Sequence, residues 1–158
     1  VAGAPRTLVP EGIRYGFLKS YLGAAETKNL FAGTCEELFA QLVLAGLNGA
    51  VAVGMGAYGA HGFDDAPEYL AHSFNIGVQY HMWHALALIG VAWLGNHTDG
   101  LLAKLSGVAF VFGIALFCGT LYIFGITGDL PLRGLAPVGG SSLIAAWVLL
   151  ALAAWRGR

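Results

Sequence analysis

Two imidazoles, a phenol and a carboxamide fall within six residues: Gln79, Tyr80, His81, His84, with Met82 and Trp83 between them. They lie inside an apolar segment long enough to cross a bilayer. Polar side chains at that depth are costly and must find partners. His81 and His84 are three apart, so they share a helix face. His61 and Gln79 come near that face if the first two spans pack closely at their outer ends. Three imidazoles can hold zinc or copper, and one can hold haem iron. Against this, the chain has no HExxH pattern and no acidic residue near these histidines inside a span. A transmembrane haem also needs an opposing ligand, and the other predicted spans hold no histidine away from their ends. The reading that asks least is a hydrogen-bonded interhelical cluster of His61, Gln79, His81 and His84. Such bonds contribute about 0.6 kcal/mol each. No metal-ligating, cofactor-binding or catalytic residue is assigned, and no cofactor is expected.

Two other constellations carry polar groups. A proton path normally uses Asp, Glu or Lys within spans, and none is clearly placed there. Tyr80, His81, His84, Thr120 and Tyr122 make a short relay at most, which does not extend across the bilayer. Pro137, Val138, Gly139, Gly140, Ser141 and Ser142 open the last span. Free amides and hydroxyls at a helix N-terminus can bind an anion, but a capped, glycine-packed start is the expected role. Ser141 and Ser142 have no base and orienting group at an inferable distance, so no nucleophilic triad forms. Cys35 and Cys118 lack a CxxC spacing and are expected as free thiols packed like small hydrophobes.

Composition sets the elements that must position these groups. Of 158 residues, 57% are hydrophobic and 11% charged, with a mean hydropathy of +0.68. Soluble domains carry about 25% charged residues, so the chain belongs to the membrane class. A net charge of -1 without a basic run argues against a nucleic-acid partner. The 24 glycines show no three-residue period, which excludes collagen and suits close helix packing in lipid.

Residues 1–37 differ from the remainder. They hold four of the eight Lys and Arg residues, Arg6, Arg14, Lys19 and Lys28. Ile13, Phe17, Leu18, Tyr21 and Leu22 recur at helical spacing, which predicts a short amphipathic extension on lipid or on protein. Thr34 and Glu37 form a capping-box pattern that starts a helix at Cys35, and 38–60 is the first span. Gly46, Ala50 and Gly54 repeat every four residues, as do Ala52, Gly56 and Ala60. Asn48 is the lone strongly polar residue of this span. Asp65 and Glu68 have the spacing of a second capping box, opening a helix over 66–94. Spans three and four are predicted over 105–124 and 138–155. The division is thus an extension over 1–37 and an all-α four-helix membrane bundle over 38–158. Four spans place seven of the eight basic residues on the side of the termini and only Arg133 on the other. The positive-inside rule makes that side cytoplasmic or matrix. No cleavable secretory signal is expected, since the first long apolar run begins near Leu38 and continues to span length. The start at Val1 is compatible with removal of an organellar presequence.

Four phrases carry a resemblance. They are Gly56-Ala57-Tyr58-Gly59-Ala60-His61-Gly62, the run from Gln79 to Leu88, Phe117-Cys118-Gly119-Thr120-Leu121-Tyr122 with Thr127 and Gly128, and Leu135-Ala136-Pro137-Val138-Gly139-Gly140. Together, over about 40–155, they resemble a family of small four-span membrane proteins of unknown function. It has bacterial inner-membrane members and the eukaryotic transmembrane protein 256 branch. Cys118 stands where a serine is expected and Tyr58 where phenylalanine is usual. The resemblance implies an antiparallel four-helix membrane bundle and no activity.

Three functions are therefore expected, in this order. The first is a non-catalytic accessory or assembly subunit of a larger inner-membrane complex, with a respiratory complex as its setting, in contact with lipid and protein. The location is the mitochondrial inner membrane or the bacterial plasma membrane. The second is a small transporter or channel component acting through the His81 and His84 face. The third is a metal or haem protein using His61, His81 and His84.

Overall fold

The computed structural model describes the backbone of residues 24–98, 101–130 and 133–157, with side chains from residue 38 onward. These residues form four long helices and no strand: α1 (Ala24–His61), α2 (Glu68–His97), α3 (Leu101–Thr127) and α4 (Leu135–Arg156). The expected amphipathic helix around Ile13 to Leu22 lies outside the described residues. Three stretches, Leu38–His61, α3 and α4, are long and apolar enough to cross a membrane. At 1.5 Å per residue, the 30 residues of α2 extend about 45 Å. It is less apolar because it carries Glu68, His72, Asn75, Gln79, His81 and His84. It runs back between its neighbours and completes an all-α membrane four-helix bundle.

The helix boundaries correct two sequence expectations. The capping box at Thr34 predicts a start at Cys35, yet α1 is continuous from Ala24 and passes the expected 37/38 boundary without a break. Within a continuous helix, the amides of 35–37 find carbonyls four residues earlier, so no cap is required. The second box also does not form. Pro67 is the N-cap of α2, with no side-chain cap bond, and the Leu70 amide donates to the Pro67 carbonyl at 2.9 Å. Proline disfavours helical backbone in the residue before it. The helix therefore starts after Pro67, and Glu68 is its first residue, where its charge favours the helix dipole.

α3 ends three residues later than expected, where Gly128 adopts φ 76° and donates its amide to Phe124 at 2.8 Å. This left-handed cap is open to glycine at no steric cost. Midway, Ile114–Cys118 form one π-helical turn between α-helical segments Leu101–Gly113 and Gly119–Thr127.

α3 and α4 are the closest pair. A Cβ on Gly139 would fall on the Phe117 backbone, and one on Gly113 would strike the Leu143 side chain. Two serine hydroxyls bridge this contact in opposite directions. Ser106 donates to the Ala146 carbonyl at 2.8 Å, and Ser142 donates to the Ala109 carbonyl at 2.9 Å. α2 packs on α3 through Gly77 against Leu121 and Tyr122, and through Phe74 against Gly125. Ala45, Ala52, Gly56 and Gly59 form the face of α1 that meets α2. No Cα of α1 comes within 8 Å of a Cα of α3 or α4 among the described residues, so its backbone packs closely on α2 and not on the other two helices.

The tight α3–α4 crossing gives a direct test. Gly139→Ala should lower stability by about 1–3 kcal/mol, the usual cost of overpacking a close contact. Gly54→Ala, where a Cβ meets nothing within 4 Å, should leave stability unchanged or raise it, because alanine favours a helix more than glycine. Thermal unfolding in detergent, followed by circular dichroism, separates the two.

Candidate functional site: a polar contact at mid-span

His81 lies on the inner face of α2 and is buried. Its Nε2 is 3.3 Å from Asn48 Oδ1 of α1, and its Nδ1 is 3.1 Å from the Tyr122 hydroxyl of α3. Asn48 also donates from Nδ2 to the Leu44 carbonyl at 2.8 Å. That bond fixes the amide orientation, so Oδ1 faces His81 and can only accept. Nε2 of the neutral ring therefore carries the hydrogen, and Nδ1 accepts from the Tyr122 hydroxyl. One imidazole thus joins three helices.

Local geometry makes this contact. Asn48 stands near the middle of the 38–61 stretch. Tyr122 is nearer the opposite end of its own helix, but side chains tilt toward the helix N-terminus, which in α3 carries its hydroxyl inward to the level of His81. The Tyr122 ring packs on Phe74 at 5.0 Å between centroids, and Phe74 meets Phe63 and Tyr58 at 5.0 and 5.6 Å. Aromatic packing therefore holds the phenol in place.

The four residues of the expected cluster are not brought together. His84 is buried, but its Nδ1 donates to the Tyr80 carbonyl of its own helix. Its ring packs on Phe110 and Trp147 at 5.6 and 6.2 Å, on the α3–α4 side. Its tautomer is thus the opposite of that of His81. Gln79 is exposed on the outer face of α2. His61 is exposed at the end of α1, thirteen residues or about 20 Å of helix from Asn48. Among the described residues, no three His, Cys, Asp or Glu side chains gather where they could hold a metal ion. Every buried side-chain nitrogen or oxygen among them has a partner.

Two partners were not paired from sequence. Asn48 was visible as the one strongly polar residue of its span, and Tyr122 as a relay candidate. Their joint use by His81 was not, because it depends on which face of α1 meets α2. The serines of the last span also take other roles. Ser142 ties α4 to α3, and Ser141 donates to the Pro137 carbonyl of its own helix at 2.9 Å.

α1, α2 and α3 enclose a groove of about 330 Å³ beside this contact, with Asn48, His81 and Tyr122 in its wall. Its other walls are Leu47, Val51, Val111 and the π-turn residues Ile114, Ala115 and Cys118, with Gly119. The bundle and its buried contact define a small polytopic membrane protein with an internal polar lock.

The comparisons with known proteins agree with that class. The family described as a protein of unknown function, DUF423, matches residues 55–140. The UPF0382 membrane protein YwdK of Bacillus subtilis is 38% identical over 115 residues, covering 72% of this chain and 94% of that protein. A UPF0382 membrane protein of Haemophilus influenzae is 32% identical over 118 residues, covering 74% and 94%. One from Staphylococcus epidermidis is 32% identical over 114 residues, covering 71% and 92%. The chain belongs to the DUF423 family of membrane proteins. No solved structure matches it.

Removing one hydrogen from the lock should have a measurable cost. Tyr122→Phe keeps the ring on Phe74 and deletes the bond to His81, and should destabilise by about 1 kcal/mol, within the range for interhelical bonds in membranes. Gln79→Ala and His61→Ala, both at exposed positions, should change stability by no more than about 0.5 kcal/mol. Denaturant titration in mixed micelles reads all three.

Proposed function

We infer that this protein is a non-catalytic accessory or assembly subunit of a larger inner-membrane complex, with a respiratory complex as the leading setting. The observation that carries this reading is the outward face of α1. Gly46, Gly49 and Gly54 each face open space, where an added Cβ meets nothing within 4 Å, and Ala50 beside them is exposed. Small residues let helix backbones approach closely in lipid. Contact with lipid alone places no such demand on a helix face. Among the described residues, α1 packs its backbone closely on α2 and not on α3 or α4, so a partner helix could lie along it without disturbing the rest of the bundle.

The same topology supports an orientation. Gln41, Gly95, Thr98, Ala103 and Gly157 meet at one end of the bundle, the end that carries Lys104, Arg156 and the chain leading to the basic N-terminal segment. Asp64, Asp65, Asp129 and Arg133 fall in the connections at the other end, and Glu68 opens α2 there. By the positive-inside rule, the first end faces the cytoplasm or the matrix. Transport through His81 and His84 has less support. His81 has both nitrogens engaged, His84 is tied to its own helix, and the two rings face different neighbours.

A native gel of gently solubilised membranes, with mass spectrometry of the band, tests the reading. Comigration with a multi-subunit complex at fixed stoichiometry is expected. Gly46→Leu with Gly54→Leu should release the chain from that complex without lowering its own melting temperature. Migration as an isolated monomer or homo-oligomer would rule the accessory role out.

A further inference from the structure

The groove beside His81 has features that an ordinary lipid-facing seam does not need. It lies where no Cα of α1 comes within 8 Å of a Cα of α3 among the described residues, and its mouth is flanked by exposed Val51 and Ala115. Its wall carries the Asn48–His81–Tyr122 contact, and that contact leaves hydrogen-bonding capacity unused. Asn48 Nδ2 has two hydrogens and gives one to the Leu44 carbonyl. Tyr122 donates to His81, leaving its own oxygen free to accept. At mid-span no water is at hand to take up that capacity.

We propose that the groove between α1 and α3 binds a neutral, membrane-dissolved molecule that presents a carbonyl or hydroxyl oxygen to Asn48. The depth selects for neutrality, because a charged head at the bilayer centre is costly. Asn48 lies near the middle of its span, too deep for a phospholipid headgroup to reach. The oxygen accepts the second Asn48 hydrogen, and a hydroxyl also donates to the Tyr122 oxygen. A volume of about 330 Å³ is at the lower end for small-molecule sites. It holds a ring or a branched head, while an attached tail runs out into the hydrocarbon. Gly119 is the residue that keeps the space open. It lines the groove, and a Cβ there meets nothing within 4 Å. The π-helical turn just before it shapes the same wall, and such turns occur often at functional sites.

The test uses the full chain in lipid nanodiscs and benzophenone, whose carbonyl is both the hydrogen-bond acceptor and the photoreactive group. Labelling is mapped by mass spectrometry to the peptides containing Val51 and Ala115. Fluorenone, fluorenol and fluorene then compete: three rings of one shape bearing a carbonyl, a hydroxyl and neither. Fluorenone or fluorenol should compete at about fivefold lower concentration than fluorene, the effect of one net hydrogen bond, and the stronger of the two identifies the head. Asn48→Leu should remove that advantage, and Gly119→Leu should abolish labelling at both peptides with the melting temperature unchanged. Equal competition by all three rings, or labelling that survives Gly119→Leu, would overturn the proposal.

Discussion

A histidine at mid-span cannot face hydrocarbon, and α2 carries two of them. Each needs a hydrogen-bond partner supplied from within the protein, because the bilayer core has none to offer. This requirement turns the side of α2 that carries His81 and His84 inward, where its neighbours cover it. His81 takes its partners from α1 and α3. His84 takes a backbone carbonyl from its own helix and is covered by Phe110 and Trp147. The two buried histidines of α2 and its position between α1 and α3 are thus two sides of one constraint.

The remaining helices meet that constraint unevenly. α3 and α4 form a tight pair, closed by glycine contacts at Gly113 and Gly139 and by the reciprocal bonds of Ser106 and Ser142. With no hydrophobic force between helices in lipid, close van der Waals approach and interhelical bonds are what hold such a pair. Among the described residues, no Cα of α1 comes within 8 Å of a Cα of α3 or α4. Among them, its attachment rests on a small-residue face against α2 and on the side-chain bond from His81 to Asn48. This imbalance produces the two features from which function is argued, an outward small-residue face on α1 and a groove between α1 and α3.

Much of this was legible in the sequence. Composition and the spacing of apolar runs establish a four-helix membrane protein. Of the small-residue repeat starting at Ala52, Ala52 and Gly56 lie on the face that meets α2, while Ala60 is exposed. Three things were not legible. The Thr34 and Asp65 capping patterns are local signals, and a continuous helix in one case and Pro67 in the other override them. The π-turn at Ile114–Cys118 has no marker in residue type. The partners of His81 depend on the rotation of α1 and α3 about their axes, which helical periodicity does not fix when nearly every face is apolar. The sequence brings His61 near His81 only if the first two spans pack closely at their outer ends, and places Gln79 two residues from it. The fold instead puts them at a helix end and on an outer face.

The measurement closest to the central claim is solid-state nitrogen NMR of the chain in lipid, with His81 assigned through a His81→Gln variant. The Asn48–His81–Tyr122 lock predicts a neutral ring with hydrogen on Nε2 and a bare, hydrogen-bonded Nδ1, while His84 shows hydrogen on Nδ1. Tyr122→Phe should shift the Nδ1 resonance of His81 and leave that of His84 in place. Hydrogen on Nδ1 of His81, hydrogen on both its nitrogens, or no response to Tyr122→Phe would contradict the account.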